Sequence, residues 1–96
     1  MSEPITLHVE VKQHHIENGT RKSCLECPIS LAVLEVSPYD SCWSGASRIR
    51  IWNNFMRETY VASTPDIARQ FIIDFDQRQK VSPFSFDLTF TQEVPR

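Results

Sequence analysis

The sequence predicts an α+β fold: a four-stranded antiparallel sheet with two helices on one face, in the order βαββαβ, with ferredoxin-like packing as the leading topology. Three observations carry that expectation. Segments 5–12 and 84–90 alternate apolar and polar side chains with a period of two, the mark of a half-buried strand. A central pair of extended segments meets at Asn53-Asn54, a turn signal because asparagine tolerates positive φ. Between these strands lie 28–36 and the stretch after Thr64, where apolar residues recur at helical spacing.

In the first strand Ile5, Leu7, Val9 and Val11 share one face, and Thr6, His8, Glu10 and Lys12 share the other. Residues 13–19 read as a single helical turn ended by Asn18-Gly19, too short to persist alone. The first helix, 28–36, places Ile29, Ala32, Val33 and Val36 on one stripe. Pro28 suits its first position, with Cys27 as the cap. The competing capping box, Ser23 with Glu26, puts proline where a backbone donor is needed. Ser37-Pro38 ends the helix, and 39–46 is expected as loop.

Residues 47–52 form the next strand and 56–62 the returning one. A two-residue connection sets Glu58 against Ile49 on the core face, an uncompensated buried charge. A three-residue loop, Asn53 to Phe55, instead pairs Arg50 with Glu58 and Arg48 with Tyr60 on the outer face. It leaves Ile49, Ile51, Thr59 and Val61 inside. In the second helix Thr64 caps, Pro65 takes the first position, and Asp66 complements the positive end of the dipole. Ala68, Phe71, Ile72 and Phe75 form its apolar stripe, and Asp74 is spaced to pair with Arg78. The last strand buries Phe84, Phe86, Leu88 and Phe90, and the tail from Gln92 is expected to fray.

A chain of 96 residues, 41% hydrophobic and 23% charged, suits one folded domain spanning residues 1–96 rather than a disordered segment. Its net charge of −2 argues against a whole-protein attraction to nucleic acid. No apolar run approaches the roughly 18 residues of a membrane span. The opening Met1-Ser2-Glu3-Pro4 lacks a secretory pattern. Cys24, Cys27 and Cys42 are an odd set that makes no disulfide framework. A cytoplasmic protein with reduced thiols is therefore expected.

Two regions carry candidate chemistry. The first is His14 to Pro28. Two thiolates at C-x-x-C spacing, Cys24 and Cys27, can reach one zinc ion, with His15 or His14 as a third ligand and His8 or Cys42 as a fourth. The second half of a usual zinc motif is absent. The same pair at a helix start also supports a thiol-redox reading, because the helix dipole lowers a thiol pKa. The third reading is packing: two small residues at a helix entrance. These three stand side by side at this point.

The motif His15-Ile16-x-x-Gly19-x-x-x-x-Cys24-x-x-Cys27-Pro28-Ile29-x-Leu31-Ala32 resembles a pattern in small uncharacterised proteins of bacteriophages and their bacterial hosts. A helix start at Tyr60 to Pro65 and a strand at Pro83-Phe84-Ser85-Phe86 extend the likeness over most of residues 9–90. This chain differs by Ser30 in place of alanine and by one extra residue before Thr64. The resemblance implies a phage or prophage accessory protein and brings no activity with it.

The second region is the sheet face that the helices leave bare. It is expected to carry His8, Glu10 and Lys12, then Arg48, Arg50 and Trp52, then Met56, Glu58 and Tyr60, with Asp87 and Thr89. Tryptophan and tyrosine beside arginine are enriched at interaction surfaces. They also resemble the stacking platform of single-stranded RNA binders, although Glu10, Glu58 and Asp87 dilute the positive charge. A solvated antiparallel face is the plainer alternative. Glycine occurs only as Gly19 and Gly45, so no phosphate-binding loop exists. The expectation is a non-enzymatic interaction protein that docks Arg48, Arg50, Trp52 and Tyr60 on another macromolecule, most readily a protein. A zinc-stabilised domain, with His15, Cys24 and Cys27 on the metal, and a thiol-redox protein are the alternatives.

Overall fold

The computed structural model describes residues 4–53 and 59–93. In chain order it contains β1 (Ile5–Val11), α1 (Gln13–Asn18), α2 (Pro28–Val36), β2 (Ser41–Ser44), β3 (Arg48–Trp52), β4 (Thr59–Ser63), α3 (Asp66–Asp76) and β5 (Phe84–Gln92). The five strands make one antiparallel sheet, curled into a half-barrel, in the order β1-β5-β4-β3-β2. The α+β class stands, but the expected four strands, two helices and ferredoxin-like order do not.

Each correction has a physical source. The additional strand, β2, lies inside the stretch expected as loop, and pairs with β3 from Ser41↔Trp52 to Ser44↔Ile49. Its inward residues are Cys42 and Ser44, too small and polar to register as an apolar alternation. The additional helix, α1, is the turn expected at 13–19. Burial of His15 against α2 and the capping contact of Lys12 with His15 hold it. The order differs because β1 sits at the sheet edge on β5, in register from Ile5↔Phe90 to Val11↔Phe84. A ferredoxin-like sheet would place the first strand in the interior.

The β3–β4 register is also corrected. Arg50 lies opposite Val61 and Ile51 opposite Tyr60, three residues away from the expected pairing. An odd slip exchanges the two faces of a strand. Tyr60 and Ala62 therefore turn inward, and Thr59 and Val61 outward. The reason is burial: the Tyr60 ring fills the core, 5.4 Å from the ring of Tyr39, where Thr59 would leave space. Glu58 and Met56 lie outside the described residues. The tail correction is smaller: Gln92 still pairs with Tyr60 in β5, and the Glu93 amide donates to the Thr59 carbonyl at 2.7 Å.

The core lies between the concave sheet face and the helices. Val9, Val11, Ile49, Ile51, Leu88 and Phe90 from the strands meet Ile29 and Val33 from α2 and Phe75 from α3, all almost fully buried. Pro28 opens α2 with Cys27 as N-cap, as the sequence indicated. The α3 start differs: Pro65 is the N-cap, and the Thr64 hydroxyl instead donates to the Gly45 carbonyl at 2.7 Å, tying β4 to the turn before β3. Asp74 accepts from Gln70 within the helix rather than from Arg78. No helix among the described residues is long and apolar enough to cross a membrane.

Helix α3 ends in a left-handed residue. Arg78 has φ of 60°, its amide donates to Phe75, and the Gln79 amide donates to Asp74 at 2.8 Å, the double bond of a Schellman ending. Glycine normally takes this position. Arg78→Gly should stabilise the protein by about 0.5–1 kcal/mol, because relief of roughly 1–2 kcal/mol of left-handed strain exceeds the entropy gained by the unfolded chain. The check is the urea midpoint, and a lower midpoint contradicts the assignment.

On the outer face of β1 and β5, His8 Nδ1 lies 2.7 Å from Asp87 Oδ1. This hydrogen bond is the main reason that the His8 pKa is raised above its usual 6.5, helped by the charges of Asp87 and Glu10. The folded state therefore favours the imidazolium. The contribution is complete below the unfolded pKa and is lost as pH rises through the higher folded one. An NMR titration should put the His8 midpoint above 6.5, and Asp87→Asn should bring it down. An unshifted midpoint in the wild type refutes the pairing.

Candidate functional site: the groove on the outer sheet face

Strand β3 projects Arg48, Arg50 and Trp52 outward while Ile49 and Ile51 are fully buried. Cross-strand neighbours complete a surface. Trp43 on β2 lies opposite Arg50, and Thr59 on β4 lies opposite Trp52. Together with Glu93, just beyond β5, these six residues line an open groove of about 530 Å³.

Three of the four residues expected at a docking face therefore come together, and the fourth does not. Tyr60 is only 6% exposed on the core face. Trp43 takes the aromatic place that the sequence reading gave to Tyr60. Its strand has only Cys42 and Ser44 facing inward, so the sequence pattern there predicts a loop. The signal available was the Ser-Cys-Trp-Ser alternation, weak by itself.

The two arginines differ. Arg50 Nη2 contacts Glu93 Oε1 at 2.8 Å, with both side chains more than one-third exposed. A pair so placed is worth about 0–1 kcal/mol, so it orients the guanidinium more than it stabilises the fold. Arg50 Nε is buried without a hydrogen-bond partner among the described residues. Arg48 is exposed and has no ion-pair partner among the described residues. The groove thus offers one neutralised guanidinium, one uncompensated guanidinium and two indoles.

The indole of Trp43 is positioned by Gly45. A Cβ at Gly45 would stand 2.5 Å from Trp43 Cη2 and 2.7 Å from Cζ3. The ring lies against the turn at Gly45 because nothing projects from that glycine, and it lines the groove opposite Arg50.

The cysteine–histidine segment comes apart into two places. His15 is buried on α1, with Nε2 at 2.5 Å from Glu35 Oε2 of α2 and Nδ1 accepting the Lys12 amide at 2.8 Å. His14 stacks obliquely on it, ring centres 4.0 Å apart, with Nε2 at 3.4 Å from the same Glu35 oxygen. Cys24 and Cys27 instead line a cleft with Ser44, Gly45 and Asp76. Among the described residues, His14, His15 and Glu35 are the metal-type donors that converge as a set of three, with donor atoms within 4.8 Å of one another. The set His15, Cys24 and Cys27 does not assemble.

The thiol environments are also unlike those of reactive cysteines. Burial pushes the Cys27 thiol up to about 11, only partly offset by the amides of Ile29 and Ser30. Burial raises Cys42 to about 11 as well. A nucleophilic cysteine needs the opposite shift. The Cys24 carbonyl does structural work instead, accepting from the Ser30 hydroxyl at 2.6 Å and the Ser44 amide at 2.9 Å.

No protein-family model, curated protein or solved structure matches this chain.

Gly45→Ala should displace the Trp43 indole without unfolding the domain. The expected readout is a change in tryptophan emission wavelength and quenching that is absent in a Trp43→Phe background. An unchanged spectrum means that the ring does not lie on the glycine.

Proposed function

We propose that this is a non-catalytic interaction protein whose outer-face groove docks an acidic segment of a partner protein. The observation that carries the reading is the joint presence in one groove of Trp43, Trp52 and Arg48, a guanidinium without an ion-pair partner among the described residues. Indoles give large apolar contact at low entropic cost, and arginine reads a carboxylate through a planar fork. Aromatic and arginine anchors of this kind dominate the energy of protein interfaces.

A protein segment is favoured over a nucleic acid strand by charge. The outer face elsewhere holds Glu10 and Asp87 around His8, Glu93 sits within the groove, and the net charge is −2. A strand of phosphates needs a continuous positive track, and this face interrupts one.

A peptide array of mixed composition provides the test. Wild-type protein should enrich peptides with Asp or Glu beside apolar residues, and Trp52→Ala should weaken the best of them about 10–100-fold. Arg48→Glu should shift the preference toward basic peptides. Equal capture of acidic and basic peptides, an unchanged profile in Arg48→Glu, or tighter binding to single-stranded RNA than to any peptide would overturn the proposal.

A further inference from the structure

We propose that His14, His15 and Glu35 form a binding site for one divalent transition-metal ion of the zinc class, clamping α1 onto α2. This site is separate from the groove and shares no residue with it.

The donor set is two imidazoles and a carboxylate, which suits zinc, nickel or copper rather than the hard cations magnesium and calcium. Around a tetrahedral zinc with bonds of about 2.0–2.1 Å, neighbouring donor atoms stand roughly 3.3 Å apart. Here His14 Nε2 is 3.4 Å and His15 Nε2 2.5 Å from Glu35 Oε2. The first spacing already matches, the second needs the carboxylate to retreat by less than an ångström, and the two imidazole nitrogens, within 4.8 Å of each other, must close through rotation of the exposed His14 ring. Glu35 is a flexible, half-exposed side chain able to make that move, while His15 is fixed by its burial. The exposure of His14 and Glu35 leaves an entry path and an open coordination position for water.

Two features oppose the ion and limit its affinity. His15 Nδ1 accepts the Lys12 amide, so the ring now carries its proton on Nε2 and donates it to Glu35. Coordination through Nε2 requires that proton to move to Nδ1 by exchange with solvent, and the Lys12 hydrogen bond must open. The Lys12 ammonium, 3.9 Å from Glu35 Oε1, must also turn away toward Glu10, which lies at the same distance. Neither step changes the number of protons on His15. A helix of six residues does not persist alone, and an ion joining its two histidines to α2 would stabilise the folded state by mass action.

The experiment titrates purified, metal-free protein with zinc chloride by calorimetry and thermal melting, and with cobalt chloride by absorption. The expected result is one ion per chain, a raised melting temperature, and cobalt bands without thiolate charge transfer. His14→Ala removes an exposed ligand with little risk to the fold and should weaken binding about 10–100-fold. The double variant Cys24→Ser, Cys27→Ser should bind as the wild type does. No saturable binding, equal affinity in His14→Ala, or loss of binding in the cysteine variant would each overturn the site.

Discussion

The architecture depends on one strand changing partners. From Phe84 to Phe90, β5 pairs with β1; at Thr91 and Gln92 it pairs with β4. Nine residues of strand reach about 30 Å, long enough to belong to two pairings in succession. The inward side chains Phe86, Leu88 and Phe90 run along this strand without interruption, so they connect the β1 side of the core to the β3–β4 side. The curl of the sheet follows from that offset. The groove follows too, because Glu93, the residue after β5, reaches Arg50 only when the strand end lies beside β4.

The loop between α1 and α2 ties α3, α2 and β2 together. Arg21 donates to the Phe75 carbonyl at 3.1 Å and lies over the Phe75 ring at 5.0 Å. It thereby places a cation at the negative end of α3. The Lys22 amide, at a residue with φ of 61°, donates to Asp76. The Ser30 hydroxyl links the Cys24 carbonyl to Ser44. The loop packs tightly enough that a Cβ on Gly19 would stand 2.5 Å from the Pro28 ring. Within such a joint Cys27 serves as a small buried N-cap. Burial in this joint is what raises the Cys27 pKa.

What could be read from the sequence was the facing of side chains within an element. The alternation in β1 and β5 and the stripe of α3 placed Val9, Leu88, Phe71 and Phe75 in the core, where they lie. Alternation says nothing about neighbours, so β1 was free to sit at an edge. Register was lost where two choices both buried apolar groups: Thr59 and Val61, or Tyr60 and Ala62. Avoidance of a buried Glu58 favours the expected register, whereas the pairing among the described residues runs from Arg48↔Ser63 to Trp52↔Thr59. The groove was half legible because Arg48, Arg50 and Trp52 share one strand, whereas Trp43 enters from a strand with small inward residues. Glu35 could not be joined to His15 at all, since the pair meets only through the packing of α1 on α2.

The difference between the two groove arginines bears on selectivity. If both guanidiniums were free, the surface would attract any polyanion and hold its phosphates or carboxylates in many registers. Glu93 neutralises Arg50 and fixes its plane beside Trp43, leaving Arg48 as the single uncompensated positive group among the described residues of the groove. In the proposed function, one charge at the end of a row that also holds two indoles would favour a ligand with one acidic group next to apolar surface over a strand of repeated charges, whose further anions would meet Glu93. On the proposed function, the same carboxylate that lowers the attraction of the groove for anions in general would thus raise its discrimination among them.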